Sequence, residues 1–577
     1  MKILAALLAL LILPSALSSQ SADPNPALPS TSGLVVSSSD IASDLGASVL
    51  ARGGNAVDAA VATAFALAVA DPFAGNLGGG GFMVVRTANG KATTFDYREM
   101  APGTSTQTMY LGADGNIDMS LTRSGYLAPG VPGTVRGMAL AHKRFGKLAW
   151  KDVVTPAADL AAGGFPMSAS LARSLNGEVT GTANAPGPMQ RFPASIAAFG
   201  KPGGGAWAEG DRIVLADLAA SMRAIANDGP NAFYTGWIAD RIAADMAAHG
   251  GLITKADLAA YAAKERAPIR GTFLGYDIIS MPPPSSGGVT LVSMLNQLEA
   301  LQIQKQPRMS VPAVHLVMEA MRRGYLDRAR FLGDADFVKV PIMTLISKPH
   351  ARELIATIDP KHASNSADLG RDILTQSMAP EPDDTTHFSV LDRAGMAVSN
   401  TYTLEGGYGS HVVIAGTGIL LNNEMGDFNK KPGLTDATGT IGTPANLIAP
   451  GKRMLSSMTP TILTRNGKVV LITGSPGSRT IINTVLSIVL DVAAWGMTGP
   501  EAIDAARMDH EWMPDRMTIE MNGLAPDVVA QLKATGHDVR VQGRQGSAQS
   551  IWVDPKTGTP YGIADKRDAT AKASRPK

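Results

Sequence analysis

Asp384-Thr385-Thr386-His387-Phe388-Ser389-Val390-Leu391-Asp392-Arg393-Ala394-Gly395-Met396-Ala397-Val398-Ser399-Asn400-Thr401-Tyr402-Thr403 reads as two alternating segments joined by a three-residue loop that ends in glycine. Such a loop suits a type I turn followed by a left-handed bulge residue, which Gly395 supplies without a Cβ clash. Pairing Asp392 with Met396 sets the register of the whole hairpin and predicts Thr385 directly opposite Thr403. Side chains alternate across a strand. Thr385, His387 and Ser389 therefore share a face with Thr403, Thr401 and Ser399, while Phe388, Val390 and Val398 point the other way. A Thr-rich strand pair is by itself ordinary β-sheet, so function has to come from what surrounds it.

Upstream, the polar, proline-containing stretch from Gln376 to Asp384 reads as the joint between two halves. Before it, Asn55 can cap a helix from Ala56 to about Ala70, with Asp58 completing a capping box and Asp71-Pro72 as its stop. Ala, Val, Leu and Phe all round this helix mark it as buried. Further helices are expected at Gly287 to about Leu301, Val311 to Phe331, Pro349 to Ile358 and Thr480 to Trp495. Strands are expected at Phe82 to Arg86, Ala92 to Tyr97, Thr459 to Thr464, Lys468 to Thr473, Val539 to Val541 and Ser550 to Val553, with the second half richer in them. Gly78-Gly79-Gly80-Gly81 leads into a strand and opens no helix, so it reads as close backbone packing rather than a phosphate cradle.

The 577 residues carry 51 Lys+Arg against 50 Asp+Glu and no cysteine. A balanced charge argues against a nucleic-acid footprint. Missing cysteine removes disulfides, thiolate nucleophiles and Cys-ligated metals together. Lys2, the apolar run Ile3 to Leu13 and the small residues to Ser18 are expected to form a cleaved export signal over residues 1–18, since about 11 apolar residues are too few to span a bilayer. The protein is accordingly expected in the periplasm or outside the cell, without a membrane span once the signal is removed. Ser19 to Ser32 reads as a leader and Asp565 to Lys577 as a solvated tail. No G-x-S-x-G elbow, G-x-x-x-x-G-K-[ST] loop or H-E-x-x-H pair occurs. The 9 histidines lack ligand spacing, and no metal or other cofactor is expected.

Set in order along the chain are Gly53-Gly54-Asn55-Ala56-Val57-Asp58-Ala59-Ala60, the Gly78 to Phe82 run, Tyr97-Arg98-Glu99-Met100-Ala101-Pro102, Pro282 to Gly288 and Asp384-Thr385-Thr386-His387. Thr401-Tyr402-Thr403-Leu404, Leu421-Asn422-Asn423-Glu424-Met425, Leu455-Ser456-Ser457-Met458 and Gly474-Ser475-Pro476-Gly477 follow. With these motifs the chain resembles the γ-glutamyltranspeptidase family (glutathione hydrolases), which are N-terminal-nucleophile amidohydrolases, from near Gly33 almost to the C-terminus. The resemblance implies an α/β fold, a four-layer αββα sandwich. It also implies self-cleavage between Asp384 and Thr385 into a heterodimer of residues 19–384 and 385–577. Cleavage would make Thr385 an N-terminal nucleophile whose own α-amino group, with a reference pKa of about 7.7–8.0, serves as base.

The resemblance assigns Thr403 to orienting Thr385, and the hairpin register agrees. It places an oxyanion donor at Gly477, with Ser478 where many members have a second glycine. Arg98 would grip a substrate α-carboxylate with Ser456 and Ser457 as hydroxyl donors, and Glu405, Glu424 and Asp427 would accept the α-ammonium. Glu405 and Glu424 stand where relatives often have amides, which makes this pocket more acidic. Pro432 to Pro450 resembles the family's lid, with Thr438 where relatives can carry an aromatic wall residue. The expected substrates are glutathione or other γ-glutamyl compounds, with water, an amino acid or a dipeptide as acceptor. Two other readings stay open: a cephalosporin (glutaryl) acylase-like amidase, and an inactive, unprocessed binding protein with the same fold.

Overall fold

The computed structural model describes residues 27–182, 184–373, 375–376, 384–436 and 442–577. The expected signal at 1–18 and Thr438 lie outside them. In chain order the strands that matter here are β1 (Gly33–Ser37), β2 (Gly80–Arg86), β3 (Ala92–Asp96), β4 (Tyr276–Ser280), β5 (Thr386–Asp392), β6 (Ala397–Thr403), β7 (Thr461–Arg465), β8 (Lys468–Thr473) and β9 (Ser550–Val553). One sheet has the order Lys572–Ser574, β1, β5, β6, β2, β3, Lys264–Arg266. The other runs Leu28–Pro29, Pro560–Ile563, β9, β8, β7, β4, Ile269–Phe273. Each has seven strands.

Helices α1 (Asp40–Ala51) and α2 (Ala56–Ala70) cover the first sheet, burying Val35, Met83, Phe388, Val390 and Val398 beneath them. Helices α3 (Gly287–Ala300), α4 (Val311–Phe331) and α5 (Ile481–Ala493) cover the second, over Ile278, Leu463 and Leu471. Between the sheets lie Leu34, Val36, Val84, Ile279, Ile462, Ile472 and Ile551. The layers are thus α, β, β, α. No helix among the described residues is long and apolar enough to cross a membrane.

Asn55 caps α2 as its sequence predicts, accepting from the Val57 and Asp58 N–H groups while Asp58 bonds back to Asn55. The Asp392 carboxylate adds a bond to the Ala56 N–H, a negative charge on the positive end of the helix dipole. The hairpin has the predicted register: His387 faces Thr401, Leu391 faces Ala397, and Asp392 bonds Met396 across the turn. Gly395 takes a φ of 91°. The glycine run is packing, as expected: a Cβ on Gly79 would lie 2.1 Å from the Thr403 carbonyl oxygen.

Two expectations change. Neither expected loose end is loose, because Leu28–Pro29 and Lys572–Ser574 are edge strands of the two sheets and Asp565 is fully buried. Strands are, as expected, denser after residue 385, though β1, β2, β3 and β4 come from before it and enter both sheets. The β1–β5 and β2–β6 ladders join the halves directly. The hydroxyl-lined face of the hairpin mostly bonds sheet to sheet: Ser389 donates to the Gln549 carbonyl at 2.7 Å and Ser399 to that of Thr473 at 2.8 Å. Its open end, at Thr385 and Thr403, meets a cavity.

Candidate active site

Thr385 precedes β5 at the end of the sandwich. Its hydroxyl donates to the carbonyl oxygen of Asp384 at 2.5 Å, and Thr403 donates to that same oxygen at 3.0 Å. The Thr403 hydroxyl accepts from the Glu405 N–H at 2.9 Å, which leaves its proton directed at the carbonyl. The Asp384 carboxylate takes the Gly407 N–H at 2.8 Å, and burial raises its pKa. One peptide carbonyl therefore receives two hydroxyls, one belonging to the next residue. His387 cannot serve as base here: burial pushes it down to about 3, and its ring nitrogens are engaged by Thr401 and Ser389.

Beside Thr385 is a cavity of about 60 Å³. Asp384, Thr385, Thr403, Arg98, Glu405, Glu424, Asp427, Ser456, Ser457 and Ser478 all line it, so residues up to 380 positions apart in sequence meet in one place. Gly477 lines the groove on the other side of Asp384 and Thr385. From the stretch that resembles a lid, Asn446 reaches the cavity and bonds both the Asp427 carbonyl and the Leu455 N–H.

Arg98 is fully buried. It pairs with Glu424 and Asp427, has Glu99 at 3.8 Å, and donates to the Leu455 carbonyl at 3.3 Å. Burial opposes its charge, but the surrounding carboxylates outweigh that and raise its pKa. Three carboxylates around one guanidinium leave an excess of acid. Burial pushes Glu99 up to about 7 and raises Glu424 as well; both Glu99 oxygens and one of Glu424 are buried without a hydrogen-bond partner. Arg98 and the acidic side of the predicted pocket are thus bonded to each other.

The serine pair is held by the Pro282 to Gly288 segment. Ser456 donates its N–H to the Pro284 carbonyl, and its own carbonyl accepts from Ser286. Arg328, on α4, lines the same cavity and was not singled out by sequence reasoning. It donates to the Ser286 and Ser457 hydroxyl oxygens, both at 2.9 Å, so the Ser457 O–H is free to donate onward. Among the described residues no carboxylate lies within ion-pair distance of Arg328, and burial brings its pKa down to about 10. The available signal was a long helix whose arginines do not collect on one exposed face.

Gly477 and Ser478 form the turn into α5, with φ values of 124° and 47°. The second is a left-handed conformation that costs a residue with a Cβ about 1–2 kcal/mol. Ser478→Gly should raise the melting temperature, the relieved strain exceeding glycine's added entropy cost of roughly 0.5–1 kcal/mol. Ser478→Ala should not. A lower melting temperature for Ser478→Gly in a thermal scan would show that the serine side chain contributes more than the strain removes.

Comparison with known proteins places the chain in a family. The gamma-glutamyltranspeptidase family model matches residues 42–574. The glutathione hydrolase proenzyme of Escherichia coli (strain K12) is 45% identical over 536 residues, 93% of this chain and 90% of that one. Among solved structures, cephalosporin acylase from Bacillus halodurans superposes with a TM-score of 0.81 at 25% identity, covering 98% of this chain and 100% of that one. Helicobacter pylori gamma-glutamyltranspeptidase gives a TM-score of 0.56 at 42% identity over 59% of this chain and 95% of that one. With the family model matched over nearly the whole length, a relative 45% identical over 93% of the chain and the αββα layers, this chain is an enzyme of the gamma-glutamyltranspeptidase family.

Proposed function

We propose that the protein cleaves itself between Asp384 and Thr385 and then transfers the γ-glutamyl group of glutathione or related amides, through an ester on Thr385, to water or to an amino-acid or dipeptide acceptor. In the first step the Thr385 oxygen attacks the Asp384 carbonyl carbon while the Thr403 hydroxyl stabilises the oxygen. The C–N bond breaks, leaving an ester and a free Thr385 amine, and water opens the ester to an Asp384 carboxylate. The new α-amine then takes the hydroxyl proton in each acyl transfer. The word proenzyme in the name of the E. coli relative supports the cleavage. Export, to the periplasm or beyond, belongs to the same proposal and rests on the signal-like N-terminus.

The observation that carries the substrate assignment is the Arg98 ion pair with Glu424 and Asp427 beside Thr385. A γ-glutamyl group ends in an α-carboxylate and an α-ammonium. It can replace this internal pairing charge for charge: carboxylate to Arg98, Ser456 and Ser457, ammonium to Glu405, Glu424 and Asp427. Arg328 and Gly477-Ser478 complete the proposed set, the first steadying Ser457 and the others facing the acyl oxygen. A glutaryl group brings only the carboxylate and would strand buried acid, at roughly 3–5 kcal/mol for a broken buried pair.

The cephalosporin acylase likeness keeps glutaryl amides as the second reading. Turnover of paired anilides separates them. We expect kcat/KM for the γ-glutamyl anilide to exceed that for the glutaryl anilide by at least about 100-fold. Preference for glutaryl would overturn the assignment.

A further inference from the structure

The ladder between β1 and β5 stops at Val36 and Ser389, so the first residues of β5 pair on the β6 side alone. Where that ladder ends, side chains take over. The Ser38 hydroxyl donates to the Asp71 carboxylate at 2.7 Å and lies 2.9 Å from the Thr386 hydroxyl. Ser38 has only one hydroxyl proton, already given to Asp71. While the Asp71 carboxylate, which burial pushes up to about 7, is ionised, Thr386 therefore donates to Ser38, and the three groups form a directional chain from the residue after Thr385 to that carboxylate. The Ser38 carbonyl is itself held by the Thr570 hydroxyl at 2.8 Å.

Asp71 opens the turn after α2, and this turn also reaches the other side of the scissile bond. The Phe73 carbonyl accepts from Tyr408, next to the Gly407 N–H that holds Asp384. Asn76 donates to the Thr403 carbonyl at 2.9 Å. Cleavage removes every constraint that Thr385 has through Asp384, including the 2.5 Å contact to its carbonyl. Chain ends fray unless they are tied down. The Thr386 side chain, with the ladder pairing of Thr386 to Tyr402, is then the nearest tether to the nucleophile that survives.

From this we infer that Thr386, Ser38 and Asp71 are positioning residues, a hydrogen-bonded relay that holds the start of β5 so that Thr385 stays aligned both before and after it becomes a chain terminus. The relay rests on Thr385 being the nucleophile but not on the substrate assignment. It touches neither the glutamyl cavity nor its ion pairs. Loss of the relay should slow chemistry and leave donor binding intact.

The test uses the full-length protein with Thr386→Ala, Ser38→Ala, Asp71→Ala and the conservative Thr386→Ser. Self-cleavage is followed on a denaturing gel, kcat and KM on a γ-glutamyl anilide, and folding by thermal melting. The three alanine variants are expected to slow self-cleavage and lower kcat by roughly 10-fold, as small misplacements of a reacting group do. KM should stay within about 2-fold on the same ground. Thr386→Ser should recover most of both rates. Wild-type rates in Thr386→Ala and Ser38→Ala would overturn the relay. Losses that follow a lower melting temperature and a higher KM, with no recovery in Thr386→Ser, would also overturn it by making these contacts merely structural. Because self-cleavage needs no added substrate, a wild-type protein that cleaves but ignores the anilide would count against the substrate assignment alone.

Discussion

Thr385→Ala is expected to accumulate as one uncut chain and to lose acyl transfer by at least about 10⁴-fold, the scale of removing a nucleophile from an enzyme whose catalytic groups act as a unit. The two effects share one cause. In the proposed mechanism the attacking oxygen in both reactions is the hydroxyl that sits 2.5 Å from the Asp384 carbonyl oxygen, and alanine has no oxygen to offer. The fold should survive, because Thr385 precedes β5 and contributes no core contact. Thr385→Ser keeps the hydroxyl and should still be cut. Two bands from Thr385→Ala on a denaturing gel would place the cut elsewhere and remove Thr385 from its role.

Arg98→Lys is the second large effect expected. The guanidinium spans Glu424 and Asp427 while also donating to the Met454 and Leu455 carbonyls, a planar fork that a single ammonium cannot reproduce. Lysine would leave at least one buried carboxylate unpaired and offer a substrate carboxylate one bond instead of two. At roughly 1.4 kcal/mol per decade, losing one charge-assisted bond worth about 1.5–3 kcal/mol raises KM by about 10- to 100-fold. The variant should still cleave itself, since Arg98 does not touch the Asp384–Thr385 peptide. An unchanged KM for a γ-glutamyl anilide would take Arg98 out of the site.

Local rules carried part of this site a long way. The glycine-ended turn set the register that puts Thr385 opposite Thr403, and the Asn55 box set the start of α2; both depend on residues a few positions apart. The strand Gly33–Ser37 and the strand Tyr276–Ser280 escaped notice, because five-residue runs are too short to show a period. Arg98 and Asp427 are 329 positions apart, and no local pattern predicts that they pair. Family motifs brought them into one pocket, but not the finding that they neutralise each other there. Arg328 was hard to single out for a different reason: Arg322, Arg323 and Arg328 are all buried, and only packing shows which of them reaches the cavity.

The cut itself also takes on a physical meaning. With no cysteine in the chain, nothing covalent would join residues 19–384 to 385–577. The β1–β5 and β2–β6 ladders run across the proposed division, so both products would be held in one continuous sheet. The price of an N-terminal nucleophile is a broken backbone at the sheet's open end, where the side-chain contacts around Thr386 and Thr403 remain.

N-terminal sequencing of the smaller chain in purified, active protein tests the central claim most directly. The mechanism predicts Thr-Thr-His-Phe-Ser-Val, starting at Thr385, in a protein that turns over a γ-glutamyl anilide. An active protein that remains a single chain, or whose smaller chain starts at any other residue, would contradict it.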